Sequence, residues 1–296
     1  IVAGENYVGG IAGFNDVAGT LDVNYTLIGG KVYAYGDCAG GGFGFNASTE
    51  VLTKELTIKP TSVQGRYYVG GCIGANVVNL SKNLTMEYFR ADNRLGSIVG
   101  EAFCGGIIGY QRTYTAKQFG TGALLDEMDA QQSAILPGID GKTNLPGAEA
   151  ASANTHTLTI CDSRNENNSL QTITNNIPIR AWLYVGGIVG YCENNSKLVI
   201  SNCVNEGTIG TPANDDTQHT HAKNGVNLAT FIAGEVDGRQ LADGAADVTI
   251  CPIGGIIGVN LKNQVIEHCT NKGTITGTSG IGGIVGLNAG SVRSCN

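Results

Sequence analysis

The sequence predicts an all-β chain wound as a parallel, right-handed β-helix of about seven coils of ~30 residues. Three observations predict it. A Gly-Gly-x-x-Gly anchor recurs seven times along the 296 residues. The anchors are spaced by about thirty residues or a little over twice that. The composition combines 45 Gly with 6 Pro and 15% charged residues, which suits tightly turned, stacked strands better than a linker.

The anchor reads VGGIAGFN, AGGGFGFN, VGGCIGAN, CGGIIGYQ, VGGIVGYC, IGGIIGVN and IGGIVGLN, with its first Gly at 9, 40, 70, 105, 186, 254 and 282. Successive intervals are 31, 30, 35, 81, 68 and 28 residues. The two long intervals each read as a coil carrying a non-repetitive insertion, residues 112–157 and 211–247. The rest is one solenoid domain. Short apolar strands of this kind cannot bury a face alone, but stacking at ~4.8 Å pairs each with its counterpart in the next coil.

Within the anchor, Gly9, Gly10, Gly13, Gly70, Gly71, Gly74, Gly186, Gly187, Gly190, Gly254, Gly255, Gly258, Gly282, Gly283 and Gly286 mark the repeat. They belong at corners where the backbone needs φ > 0 or close approach. An Asn closes the anchor at Asn15, Asn46, Asn76, Asn260 and Asn288. Stacked Asn side chains can hydrogen-bond along the axis as an amide ladder. Gln111 and Cys192 interrupt that series, and both stand near an insertion. A Gly lies five residues before the anchor at Gly4, Gly65, Gly100 and Gly277.

A second element follows the anchor, apolar-x-x-Cys-x-Asn-x-Gly-x-Ile. It reads VISNCVNEGTI (199–209) and VIEHCTNKGTI (265–275), and it begins again in VRSCN (292–296). LTICDSRN (158–165) is a weaker copy. The phase predicts a thiol ladder of Cys161, Cys203, Cys269 and Cys295, read as interior free thiols acting as small hydrophobes. Nine Cys without a single CxxC argue against a zinc ribbon or a redox motif. Cys104 replaces Val8 of the first anchor, which also marks an interior site.

Competing folds fit less well. A dinucleotide fingerprint needs GxGxxG between a strand and a helix, and these anchors lack it. Propeller blades run longer, near 40 residues. No apolar run reaches the ~18 residues of a membrane span. With a net charge of −7 and no basic patch, nucleic acid is not an expected partner.

The anchors and the segments 184–210 and 252–296 resemble the GLUG repeat, a short bacterial motif of the form Gly-Gly-Leu-Val-Gly-x-Asn-x-Gly-x-Ile. The resemblance is looser over 1–111 and does not cover the insertions. It implies a secreted, extracellular, adhesin-like protein of the bacterial cell surface, with no catalytic residue and no cofactor. The implied partners are a host or neighbouring-cell surface ligand, including glycans, presented to the insertions. The phases of the two ends, Val2–Gly10 against Ile275–Gly283 and Cys295 against Cys269, predict further coils of the same chain at both ends. The runner-up functions are a glycan-binding component of a polysaccharide uptake system and a β-helix lyase or glycosidase.

Other chemistry-bearing residues are few. His219 and His221, with Asp215 and Asp216, could ligate a divalent metal. They sit in a polar insertion without a further ligand at diagnostic spacing, so a solvated loop is the simpler reading. Asp126, Glu127 and Asp129 fall on the outer face of a predicted helix over 123–136. One aromatic column precedes the anchor (Tyr7, Tyr68, Phe103, Tyr184) and another follows its third Gly (Phe14, Phe45, Tyr110, Tyr191). Packing is the expected role, with sugar stacking the alternative.

Overall fold

A computed structural model describes residues 1–16, 18–21, 25–53, 55–114, 156–164, 170–193, 196–211, 226–227 and 249–296. Among these residues the chain winds through seven coils and forms five long parallel sheets, met in one fixed order, with sheet IV entering at the third coil. We number them I to V along the coil.

Sheet I contains Val2–Gly4, Lys31–Ala34, Ser62–Gln64, Ile98–Val99, Ile179–Arg180 and Ile209–Gly210. Sheet II contains Val8–Gly9, Ala39–Gly40, Tyr67–Gly70, Ala102–Gly105, Leu183–Gly186, Ile253–Gly254 and Ile281–Gly282. Sheet III contains Ala12–Asn15, Phe43–Asn46, Ile73–Asn79, Ile108–Tyr114, Val189–Cys192, Ile257–Asn260 and Val285–Asn288. Sheet IV contains Leu84–Met86, Thr157–Cys161, Lys197–Ser201, Gln264–Glu267 and Ser291–Arg293. Sheet V contains Tyr25–Ile28, Leu56–Lys59, Phe89–Ala91, Thr174–Asn175, Val204–Asn205 and Thr270–Asn271. The architecture is a parallel β-helix.

The anchor sets the register. Gly9, Gly40, Gly70, Gly105, Gly186, Gly254 and Gly282 pair in one unbroken row of sheet II. The residue before each lines the interior, and Cys104 takes that place between Val69 and Val185, fully buried. Interior rows of Val, Ile, Leu and Phe fill the bore, as expected for parallel sheets covered on the inner face.

The anchor glycines serve close approach, and their φ angles stay outside the left-handed region. Most left-handed residues fall instead at two corners. One column, Tyr88, Asn202, His268 and Ser294, precedes the sheet V row. The other precedes the interior residue of sheet II: Tyr7 (54°), Cys38 (62°), Tyr68 (56°), Phe103 (55°) and Tyr184 (53°) in coils 1 to 5, and Gly280 (64°) in coil 7. A side chain there costs about 1–2 kcal/mol. Ring stacking of about 0.5–1.5 kcal/mol per pair, added to burial, offsets that cost. The rings stack along the axis: Tyr68 on Phe103 at 5.1 Å, Phe103 on Tyr184 at 4.6 Å, and Phe14 on Phe45 at 4.9 Å. Edge contacts lock the two columns together, as between Tyr184 and Tyr191 at 5.1 Å. Tyr68, Phe103, Tyr184, Phe45 and Tyr110 are buried in a second apolar cluster separate from the bore. The columns are packing, and these buried rings leave no face open for sugar stacking.

The asparagine row at the end of sheet III is an amide ladder. Asn15 Nδ2 donates to Asn46 Oδ1 at 2.8 Å, Asn46 to Asn76 at 2.7 Å, and Asn76 to Gln111 Oε1 at 2.6 Å. Gln111 therefore continues the ladder, contrary to the expectation that it breaks it, because its longer amide still reaches the same line. Cys192 does break it. The ladder resumes from Asn260 to Asn288 at 2.7 Å, and Asn260 Oδ1 is left buried with no partner. A second ladder, not read from the sequence, runs through sheet V. Asn175 donates to Asn205 and Asn205 to Asn271, both at 2.8 Å. Each of these Nδ2 groups also donates to the carbonyl two residues on.

The insertions are rooted at two corners. The stack holds through Tyr114, which pairs with Asn79, and sheet IV of that coil begins at Thr157. The first insertion thus leaves between sheets III and IV of coil 4. The second leaves between sheets I and II of coil 6, after Ile209–Gly210, and re-enters through Thr249–Ile250, paired antiparallel with Val226–Asn227. One corner lies at the far edge of sheet III and the other at the far edge of sheet II, so the two flank that pair of sheets. The helix expected over 123–136, with Asp126, Glu127 and Asp129, lies outside the described residues.

Replacing Cys192 by Asn is expected to join the two stretches of the sheet III ladder and satisfy Asn260 Oδ1. The gain should be about 1 kcal/mol, measured by chemical unfolding. A variant less stable than the parent would contradict this reading of the ladder.

Candidate functional site

The expected thiol ladder is shorter than its sequence pattern. Cys161 pairs with Ser201 in sheet IV, which places it two positions away from the Cys203 row. The row itself runs Leu56, Phe89, Ile173, Cys203, Cys269, Cys295. The reason is an excursion in coil 4. Thirteen positions separate Cys161 from Thr174, where three separate Ser201 from Val204. The extra residues include an antiparallel pair, Ser163–Arg164 with Leu170–Gln171. The true equivalent of CVNEGTI is therefore ITNNIPI, which carries Asn175 in phase but no Cys.

Cys203, Cys269 and Cys295 are free thiols, stacked on consecutive rungs. Each Sγ donates to the carbonyl two residues back, at 3.2–3.3 Å, and to a carbonyl of the preceding coil, at 3.5–3.7 Å. Burial pushes the Cys203 thiol well above its ordinary range. These groups complete the corner, and the buried Cys203 is poorly placed to react.

His219, His221, Asp215 and Asp216 lie outside the described residues. Among the described residues no group of three His, Cys, Asp or Glu side chains is placed to hold a metal ion.

Two ion pairs, each with a buried carboxylate, brace sheets II and III. Arg112 Nε stands 2.8 Å from Glu193 Oε2, and burial raises the Glu193 carboxyl against the pull of Arg112. Arg66 Nε stands 3.4 Å from Asp37 Oδ1 and lies over the Tyr67 ring at 4.6 Å. Burial likewise raises Asp37. Both carboxylates are fixed inside packed corners.

The candidate site is a groove at the turn from sheet V to sheet I, across coils 3 to 6. It encloses about 390 Å³ and is lined by Arg94, Asn176, Pro178, Glu206, Gly207, Thr208 and Lys272. Its origin is the second asparagine ladder. Ala91, Asn175, Asn205 and Asn271 are in register, so the residues that follow them form one column, Asp92, Asn176, Glu206, Lys272. Glu206 sits between two cations: Arg94 Nη2 reaches its Oε2 at 2.8 Å, and Lys272 Nζ reaches its Oε1 at 3.1 Å. The Lys272 hydrogen bond, then Arg94, hold the Glu206 carboxyl below its ordinary range. Next to it, Asn176 Nδ2 donates to Asp92 Oδ1, which with Lys59 at 3.3 Å keeps Asp92 ionised. Asn176 Oδ1 is buried with no partner. The sequence pattern showed the Asn of this corner but not the groove, because Arg94 and Glu206 are 112 residues apart and meet only through stacking.

No family model, curated protein or solved structure matches the chain.

Native-state alkylation with iodoacetamide is expected to modify the half-exposed Cys161 and Cys295 first, and to spare Cys72, Cys104, Cys192 and Cys203 until the chain unfolds. Peptide mass mapping reads the order. Labelling of Cys104 or Cys203 as fast as Cys295 would contradict their placement.

Proposed function

We propose that this chain is a non-catalytic scaffold of the bacterial cell surface, an adhesin-like β-helix that presents its two insertions to a ligand on a host or neighbouring cell. The observation that carries the reading is where the insertions are rooted. One leaves the stack at the corner between sheets III and IV and the other at the corner between sheets I and II, so their roots flank the pair of sheets II and III. In solenoids such segments commonly form the binding face. The resemblance of the anchors to GLUG repeats supports an extracellular setting. Among the described residues no helix is long and apolar enough to cross a membrane.

The polar side chains of the rod support a structural role. The amides are spent on ladders, the buried carboxylates on ion pairs with Arg66 and Arg112, and the thiols on corner carbonyls. A glycosidase needs two carboxyl groups some 5–10 Å apart, one of them able to hold a proton near neutral pH. The groove described above carries Glu206, with Asp92 in the same column, and neighbouring donors and cations hold both carboxyls below their ordinary range.

The test compares the full chain with a variant in which residues 115–155 and 212–248 are replaced by short Gly-Ser turns. The probes are fixed epithelial cells and cells of a second bacterial species. The full chain is expected to bind one of them, and the shortened variant to lose binding while keeping its β circular dichroism. Equal binding by both proteins, or release of reducing ends from a polysaccharide panel by the full chain, would overturn the reading.

A further inference from the structure

We infer that the groove at the turn from sheet V to sheet I is a binding site for a neutral, hydroxyl-rich ligand, a neutral mono- or oligosaccharide. The site goes beyond the presentation of insertions and does not rest on it, since it lies on the rod itself, at a different corner.

The hydrogen-bonding groups of the groove decide what it can hold. Glu206 gives one carboxylate oxygen to Arg94 and the other to Lys272, which leaves lone pairs on both oxygens. Arg94 and Lys272 each spend one donor on Glu206 and keep others, and their side chains are 75% and 60% exposed. A donor, an acceptor and a donor thus follow one another along one small concavity: Arg94 from coil 3, Glu206 from coil 5 and Lys272 from coil 6.

That mixture selects the ligand. A phosphate or carboxylate has only acceptors. It would meet the Glu206 charge with no donor to offer it. An amine would satisfy the acceptors but would stand between two cations. A hydroxyl donates and accepts at once, and neighbouring hydroxyls can bridge Glu206 to Arg94 or Lys272 without breaking either ion pair. The volume of about 390 Å³ lies at the lower end of small-ligand pockets, room for one or two sugar rings, and Pro178 supplies an apolar edge for ring C–H groups.

The probe is an array of neutral and acidic mono- to tetrasaccharides. The strongest neutral compound is then titrated calorimetrically into the full chain, Arg94→Ala, Glu206→Gln and the insertion-shortened variant. Neutral saccharides are expected to dominate the array. Arg94→Ala and Glu206→Gln should each weaken binding by about tenfold or more, at unchanged melting temperature. Raising salt from low to high should change affinity by less than about twofold, because no net charge pairing with the ligand is screened. The shortened variant should bind as the full chain does, whatever becomes of cell binding. Four results would each overturn the assignment: no neutral saccharide bound, both point variants binding like the parent, acidic saccharides alone bound and released by salt, or binding lost with the insertions.

Discussion

From coil 2 to coil 6 the second anchor glycine passes within touching distance of the next coil's backbone and of a side chain of sheet V, and the rest of the molecule is arranged around that contact. A β-carbon on Gly187 would lie 2.1 Å from the Gly255 carbonyl oxygen of the next coil and 2.4 Å from Asn205 Cγ across the bore. Gly106 and Gly255 stand in the same relation to Gly187 and Asn175, and to Gly283 and Asn271. In coils 2 and 3 the facing residue is Ile58 or Ala91 in place of Asn. The bend between sheets II and III is thereby pressed against sheet V. The first glycine of each pair meets a different obstacle, the carbonyl three residues on in its own turn. The third meets the backbone of neighbouring coils. Three glycines recur because three separate approaches exclude a side chain.

Once the bend is this tight, polar groups on its two sides cannot reach water and must satisfy one another. Two amide ladders do so, one on sheet III and one on sheet V, and both advance by one side chain per coil. The tightness also explains the left-handed residues. In coils 1 to 5 and 7 the chain turns into sheet II through one left-handed residue, and in four of them a large ring occupies it, whose contacts with its neighbours recover what the strain costs. Coil 2 places Cys38 there and coil 7 Gly280. The ladder on sheet V has a further consequence: it fixes the residues just beyond it in a column, and that column is the wall of the groove holding Asn176, Glu206 and Lys272.

Much of the fold was legible because a stacked coil repeats its demands. The anchor, its spacing and the interior place of Cys104 follow from one alignment of the chain on itself. The errors occurred where a coil departs from the period. Cys161 looked in phase because LTIC matches the apolar run before the corner. The excursion through Ser163–Arg164 and Leu170–Gln171 moves that corner on to Ile173, and only the spacing from Asn175 to Ile179, equal to that from Asn205 to Ile209, could have revealed it. Gln111 was misjudged because residue type suggested a break where side-chain length permits a bond. The groove was illegible for another reason. Its parts are single charged residues in different coils, each unremarkable alone, and only their common column gives them meaning.

The central claim is that anchor glycines are required by contact with the neighbouring coil and the facing sheet, and their φ angles play no part. Gly187 and Gly283 hold the same place in the repeat, yet a β-carbon on Gly283 would meet nothing within 4 Å. The direct measurement is the unfolding free energy of Gly187→Ala and Gly283→Ala beside the parent. The account predicts a loss of about 3 kcal/mol or more for the first, up to failure to fold, and a change within about 0.5 kcal/mol for the second. Equal effects at the two positions would contradict it.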